Sequence, residues 1–433
     1  MPKAQLTWEV NWDERITIAA LTERLFEEGA GKEDLVVLLK DRDRELVELL
    51  CGPRYHPLEN ARYERRGTKG RTLGTRFGKI TVRAHQVYDR ETGKHVVPLW
   101  ADVLLDGQRV YQKDIIALSL HAVGRMSYRN TQEELARTVP GAPSPHTINR
   151  RVIEEGNLLN QRIREREMAT GSVMPDGTKL HAQKGGHHDV NITLAVRPGE
   201  RTRIRCLTVG QDWQSHRKTL ERTEFQDEKG TPVTPTMVSD QEIPLVNAMT
   251  PTGGLWEPDH VHIPRGTNHA LWKDGADYDE RRGVARTVGG LLAHLRNSLN
   301  LHLPKGEKEA VEHRIQQTTK ELRRLATLLE QKGYPLGAEF LRRVSGPVTT
   351  FATLALQGIT IPWNSQIVER VMGEVGKRCK HKWMNWTTKG AQALLTLLIV
   401  RIVEPETYGR FFRGWLFGHL STYSDLGILV VRG

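Results

Sequence analysis

The chain has 433 residues, a formal net charge of +11 and a pI near 9.5. That length accommodates two to four domains and at least one full core; the positive balance points to a polyanion, nucleic acid or an anionic membrane surface, although a solvated basic surface has the same sum. Three cysteines, Cys51, Cys206 and Cys379, stand far apart with no C-x-x-C pair, which argues against a disulfide framework and structural zinc and fits a reducing cytosol.

The first residues lack the apolar h-region of a signal peptide. The longest apolar run, Ala393 to Val400, ends at Arg401 and is far short of a membrane span, so no membrane association is expected. Residues 1–50 are expected to form an N-terminal helical region. Ile16, Ala19, Ala20, Leu25, Leu35, Leu38, Leu39 and Leu46 recur at helical spacing, and Gly29 and Gly31 split the run into two helices. These form either a packed hairpin or an oligomerising or DNA-facing unit.

Residues 51–110 read as a basic arm and β-ribbon. Arg54, Arg62, Arg65, Arg66, Lys69 and Arg71 interleave with Tyr55 and Tyr63, and two strands are predicted, Gly78 to Arg83 and His95 to Leu99, joined at Thr92-Gly93. Arg65, Arg66, Lys69 and Arg71 are expected to follow a phosphate backbone. Residues 111–168 have the layout of a helix-turn-helix: a helix from Asp114 ended by Gly124, a second capped by Ser127, a turn at Pro140-Gly141, and a third opened by Ser144-Pro145. The third, predicted to end at Glu155, carries Thr147, Asn149, Arg150 and Arg151 as DNA-reading candidates.

Residues 169–267 alternate strands and short helices. Strands are predicted at 172–182, 190–196, 204–209, 236–239 and 259–263, with helices at 213–224 and 242–249. Three adjacent strands followed by helix–strand–helix–strand is the order of an RNase H-like core. Residues 268–360 are expected to be an all-α insertion broken at His302 to Gly306. Residues 361–433 then complete the core: a helix capped by Asn364 or Ser365, a basic loop with Lys377, Arg378, Lys380 and Lys382, the apolar helix from Gly390, and an aromatic tail, Tyr408 to Trp415, packed back on the core. The loop cations are expected to neutralise phosphates. Trp383 and Trp386 are either core or stacking platforms for an unpaired base.

Asp176 lies mid-way along the first core strand and Asp240 ends the fourth, so neighbouring strands bring both to one sheet edge. Glu369 or Glu374 can complete the set. Glu369 is favoured on reach, since Glu374 lies ~7.5 Å further along the helix. Three carboxylates at one point need cations to stay ionised, and oxygen ligands select Mg²⁺ or Mn²⁺. Two such ions ~3.5–4 Å apart activate a water or hydroxyl and stabilise a phosphodiester's leaving oxygen. The His187-His188-Asp189 and Asp259-to-His262 stretches lack further zinc ligands and are expected to be structural or near-site.

Several short stretches, by their order and spacing, make the chain resemble the DDE transposases of bacterial and archaeal insertion sequences, in the mutator-like branch. They are Arg71-Thr-Leu-Gly-Thr-Arg-Phe-Gly-Lys-Ile, Met126-Ser-Tyr-Arg-Asn-Thr, Pro175-Asp-Gly-Thr, Val238-Ser-Asp, the D-x-x-H of Asp259 and His262, and Trp386-Thr-Thr-Lys-Gly-Ala. The resemblance, spanning about residue 55 to 400, implies an RNase H-like catalytic domain of α/β class with a helical insertion before the glutamate. It implies Asp176, Asp240 and Glu369 as catalytic metal ligands, Asp259 and His262 near the site, an N-terminal region that binds terminal inverted repeats, and a homo-oligomer acting on double-stranded DNA at transposon ends and target. The cysteine pairs near the ribbon of some relatives are absent here. The alternatives are a helix-turn-helix regulator with an inert RNase H-like domain, and a nuclease that cuts without joining.

Overall fold

Apolar spacing of three and four turns to alternation and back twice along the chain, and the elements follow it. The computed structural model describes residues 6–10, 16–164, 168–169, 172–196, 199, 201–220, 225–226, 234–250, 254–380, 384–417 and 428–432. A short strand, β1 (Leu6–Val10), precedes α1 (Ile18–Glu27) and α2 (Lys32–Cys51). Thr17 opens α1 by accepting from the Ala20 amide, and Gly29 reverses the chain in the left-handed region at φ 80°.

β2 (Tyr63–Thr75), β3 (Gly78–Asp89) and β4 (Lys94–Val96) form an antiparallel meander. From Tyr63 onward the basic stretch is therefore one strand of the ribbon, paired with β3 around a bulge between Arg65 and Thr68, and not a free arm. The strand expected at His95 to Leu99 ends early, because Pro98 has no N–H for the ladder and opens α3 (Pro98–Asp102). Three helices follow, α4 (Lys113–Val123), α5 (Tyr128–Thr138) and α6 (Pro145–Arg164). Ser127 and Ser144 accept from the Asn130 and Thr147 amides as predicted, but α6 runs well past Glu155.

Beyond α6 come β5 (Met168–Ala169), β6 (Ser172–His181), β7 (His187–Val196), β8 (Arg203–Val209), α7 (Trp213–Leu220), β9 (Phe225–Gln226), β10 (Thr236–Ser239), α8 (Ile243–Met249) and β11 (Trp256–Pro258). A helical run follows: α9 (His262–Lys273), α10 (Tyr278–His302), α11 (Lys308–Gln331), α12 (Pro335–Ser345) and α13 (Thr350–Leu356). Then come α14 (Gln366–Cys379), α15 (Thr388–Val403), α16 (Pro405–Phe417) and β12 (Ile428–Arg432). The predicted break in the helical run falls at Leu303–Lys305, with Gly306 at φ 77°. The last core strand lies at Trp256–Pro258, earlier than the predicted 259–263, and His262 already starts α9.

The chain forms two compact units, Met1–Glu155 with Glu406–Gly433, and Gly156–Pro405. In the first, Leu21, Leu25, Leu35 and Leu39 of the helical hairpin pack on Leu73, Ile80 and Val82 of the ribbon, and β1 pairs antiparallel with β12. The aromatic tail belongs to this unit and not to the later core where it was expected. Phe411 and Trp415 are buried, the Thr17 hydroxyl donates to the Leu416 carbonyl at 2.5 Å, and Lys113 Nζ donates to the Trp415 carbonyl at 2.8 Å.

The second unit is α/β, with a five-stranded sheet in the order β11-β10-β6-β7-β8. β6, β7 and β8 form an antiparallel meander; β10 lies parallel to β6, and β11 parallel to β10. The helical segment is not an independent module. Leu271, Leu292, Leu322 and Leu341 share one apolar cluster with Val173, Cys206 and Met237 of the sheet, so burial of one continuous apolar surface holds both together. Among the described residues, no helix is long and apolar enough to cross a membrane.

Candidate active site

Ser172 to Pro175 are buried and β6 becomes half-buried at Asp176. β10 pairs with β6 at Thr236↔Ser172 and Met237↔Val173. Continuing that register by the same offset of 64 (236 − 172 = 240 − 176) sets Asp240, just past the end of β10, opposite Asp176. Gly177 allows a close approach behind the site, since a Cβ there would lie 2.7 Å from Trp213 Cζ2 and 2.8 Å from Asn191 Oδ1.

Asp259 follows β11, and its amide donates to the Ser239 carbonyl at 2.7 Å. This carboxylate is fully buried and fully engaged. Oδ1 accepts from the Val261 and His262 amides at 2.5 and 3.3 Å. Oδ2 accepts from the Ser365 amide at 2.7 Å and lies 2.6 Å from the Ser365 hydroxyl. Ser365 occupies the N-cap position of α14, but its hydroxyl makes no cap bond; it lies between Asp259 and Glu369 Oε1, the latter at 3.0 Å. His262 Nε2 approaches the same Glu369 oxygen at 2.8 Å. Asp259, His262 and Glu369 thus converge, with ligating atoms within 4.8 Å of one another.

The alternative glutamate is elsewhere engaged: Glu374 Oε1 accepts from Lys377 Nζ at 2.6 Å. Glu369, in contrast, belongs to the same electrostatic cluster as both aspartates. Burial, joined by the Asp240 and Glu369 charges, raises the Asp176 carboxyl to about 7, against opposing pulls from the Gly177 amide and His262. Burial likewise raises Asp240, with Asp259 and Glu369 adding to the rise while the Glu242 amide and His262 oppose it.

The free oxygens decide which carboxylates can take a cation. Asp176 Oδ1 accepts from the Gly177 amide at 2.7 Å, Asp240 Oδ1 from the Glu242 amide at 3.2 Å, and Glu369 Oε1 faces His262 and Ser365. The second oxygen of each has no protein hydrogen-bond partner among the described residues. Asp259 has both oxygens saturated and therefore acts as a brace. The Asp240 and Glu369 charges raise the proton affinity of Asp176, and the Glu369 charge that of Asp240, a repulsion that a bound hard cation would relieve, and carboxylate oxygens are the donors such an ion takes. His187, His188 and Asp189 join no such cluster among the described residues; His188 Nε2 lies 3.0 Å from the Trp386 carbonyl.

Several predicted DNA-contacting cations are committed within their own units. Arg151 is buried, paired with Asp106 at 2.7 Å and Glu155 at 3.1 Å, with its guanidinium over the Trp415 ring; burial removes it from any DNA-facing surface, correcting the sequence expectation. Arg378 is also buried, its guanidinium over the Trp386 ring, and Trp386 is itself core. Arg65 donates to the Gly52 carbonyl at 2.5 Å, Arg71 to the Gly107 carbonyl, Arg66 pairs with Glu64, and Lys377 pairs with Glu374. Lys69, Arg150 and Lys380 are exposed, while Thr147 and Asn149 are half-buried on α6. Lys382 and Trp383 lie outside the described residues.

Two cavities adjoin the carboxylates. One, of about 870 Å³, is lined by Gly177, Asn191, Trp213, Glu242 and Lys380. The other, of about 620 Å³, is lined by Asp240 and His262 together with residues of α9 and α12. The sequence expectation named Asp176, Asp240 and Glu369; Ser365 as the link between Asp259 and Glu369 lay beyond it, because that role depends on two segments meeting in space. The chain matches no family model and no curated protein sequence.

Proposed function

We propose that this chain is a DDE-type DNA transposase, in which the unit Gly156–Pro405 carries out metal-dependent phosphodiester cleavage and strand transfer. The observation that carries the reading is that Asp176, Asp240 and Glu369 share one electrostatic neighbourhood at the end of the paired strands β6 and β10, each with one carboxylate oxygen free of protein donors among the described residues. The strand order β11-β10-β6-β7-β8, with its meander and parallel additions, supports an RNase H-like core. The Ser-capped helices α5 and α6 support a helix-turn-helix that reads terminal repeats.

Asp176, Asp240 and Glu369 would hold Mg²⁺ or Mn²⁺, and an ion bound there would supply activation of an attacking water or 3′-hydroxyl and charge stabilisation of a phosphodiester's leaving oxygen. Around that chemistry the protein supplies orientation. His262 and Ser365 hold Glu369 Oε1, and Oε2 has no protein donor among the described residues. Asp259 ties β11, the start of α9 and the start of α14 into one rigid frame. Of the predicted DNA-contacting residues, Lys69 and Lys380 are exposed with no ion pair among the described residues, and so are available to phosphates from solvent; Arg150 is exposed but pairs with Glu154 at 3.9 Å.

The test is incubation of the full chain with DNA bearing the ends of its element, with and without Mg²⁺. Joined products support transposition. Cleavage alone supports the nuclease reading, and binding without either supports a regulator with an inert domain. Unchanged strand transfer by Asp176→Asn would overturn the metal mechanism.

A further inference from the structure

The cavity between α9 and α12 has an organised lining. On α9, His262, Arg265, Gly266, His269 and Lys273 recur at three- and four-residue intervals and so share one helix face. A Cβ on Gly266 would lie 2.5 Å from Phe340 Cζ, so the glycine lets the ring of α12 rest directly on α9. Arg343 lies over that ring at 5.5 Å. Its Nη2 reaches the Gln241 carbonyl only at 3.5 Å, and its Nε is buried without a hydrogen-bond partner.

Arg265 and Lys273 are exposed and carry no hydrogen bond or ion pair among the described residues. They differ in this from Arg65, Arg71 and Arg151, which are held by carbonyls or carboxylates. Three carboxylates line the same space: Asp240 and Glu242 from the link between β10 and α8, and Glu339 from α12. The lining is therefore no continuous positive track. It offers a few cations and an aromatic floor beside Asp240 and His262, the combination that suits a short piece of one nucleic-acid strand. Its volume is that of a ligand pocket, too small for a duplex.

We infer that this cavity is a subsite for one or two nucleotides of a single DNA strand next to the scissile phosphate. Arg265 and Lys273 take the phosphates, and Phe340 forms the apolar floor. The inference rests on the transposase reading for its substrate, but its test is a binding measurement.

The experiment titrates the full chain, in Ca²⁺, against a labelled single-stranded oligonucleotide and against the matching duplex, following fluorescence anisotropy. The double variant Arg265→Ala/Lys273→Ala is expected to weaken single-strand binding about tenfold and to reduce the salt slope by about 1.4, roughly 0.7 for each lost phosphate contact. Duplex binding is expected to stay within about twofold. The charge-preserving pair Arg265→Lys/Lys273→Arg is expected to restore most of the affinity, and both exposed positions leave the core intact. Equal losses for both probes, no loss for either, or no single-strand binding by the unaltered chain would overturn the subsite. Mg²⁺-dependent cleavage of end-bearing DNA is scored in parallel. If the unaltered chain cleaves and the double variant binds single strands normally, the subsite fails alone. If the variant loses single-strand binding but the unaltered chain neither cleaves nor joins, the subsite stands and the transposase reading fails.

Discussion

Asp259 and Ser365 are joined twice across 106 positions of sequence, the same carboxylate oxygen meeting the Ser365 amide at 2.7 Å and its hydroxyl at 2.6 Å. That hydroxyl also lies 3.0 Å from Glu369 Oε1. One side chain thus connects a saturated, buried carboxylate to one that keeps an oxygen free. The arrangement explains why the D-x-x-H segment and the start of α14 must arrive together for Glu369 to be held.

Ser365→Ala is expected to lower divalent-ion affinity or turnover by about 10- to 100-fold, the usual cost of losing a group that orients a ligand. It should also cost about 1–3 kcal/mol of stability, because Asp259 Oδ2 keeps only its amide donor. Titration calorimetry with Mn²⁺ and urea melts read the two effects separately. Ser365→Thr retains the hydroxyl and should recover most of the affinity.

The two neighbouring glutamates should separate cleanly. Glu369→Gln is expected to reduce cleavage by more than about 100-fold and to remove the stabilisation given by divalent ions. Glu374→Gln breaks only a surface pair with Lys377 and should change both readouts by less than about twofold. Cleavage assays and thermal melts with and without Mg²⁺ check the pair.

Stability without divalent ions should fall as pH rises. Burial raises Asp176 and Glu23 to about 7 and Asp114 to about 6, all from a usual carboxylate value near 4. Each folded group therefore binds a proton more tightly than in the unfolded chain, and the associated stability is complete below about pH 4 and lost as pH climbs through about 6 to 7. Thermal midpoints measured in chelator should drop between about pH 5 and pH 8, and Mg²⁺ should restore much of the loss at the upper end. Asp176→Asn should raise the midpoint at about pH 8, by on the order of 1–3 kcal/mol in stability, and weaken the Mg²⁺ response.

Arg151→Ala is expected to destabilise the first unit by about 3–5 kcal/mol, since Asp106 and Glu155 would be left without their buried cation. Arg150→Ala, at an exposed neighbouring position, should stay within about 0.5 kcal/mol. Urea unfolding followed by tryptophan fluorescence compares them.

Asp176 and Asp240 were legible because strand patterning is local. Ser172 to Pro175 and Thr236 to Ser239 are short apolar runs, and each aspartate ends or interrupts one. The break at His302 to Gly306 and the Ser127 and Ser144 caps were legible for the same reason, since proline, glycine and hydroxyl side chains act on backbone beside them. Arg151 was misread because spacing along α6 cannot tell the face that meets Asp106 and Trp415 from the face that meets solvent. The start of α9 was misplaced because Asp259 to Ile263 is apolar and polar by turns, and only the buried Asp259, accepting from two amides of that turn, closes it into a helix start.

By itself the sequence determined the α/β order of elements, the positive charge and the two aspartates, because each rests on a residue's own backbone preference or on its nearest neighbours. Only the tertiary structure decided the link from Asp259 through Ser365 to Glu369, the burial of Arg151 and Arg378, and the placement of the aromatic tail with the N-terminal unit. These depend on contacts between segments distant in the chain, where the loss of water from a charged group and the partner it meets set its role.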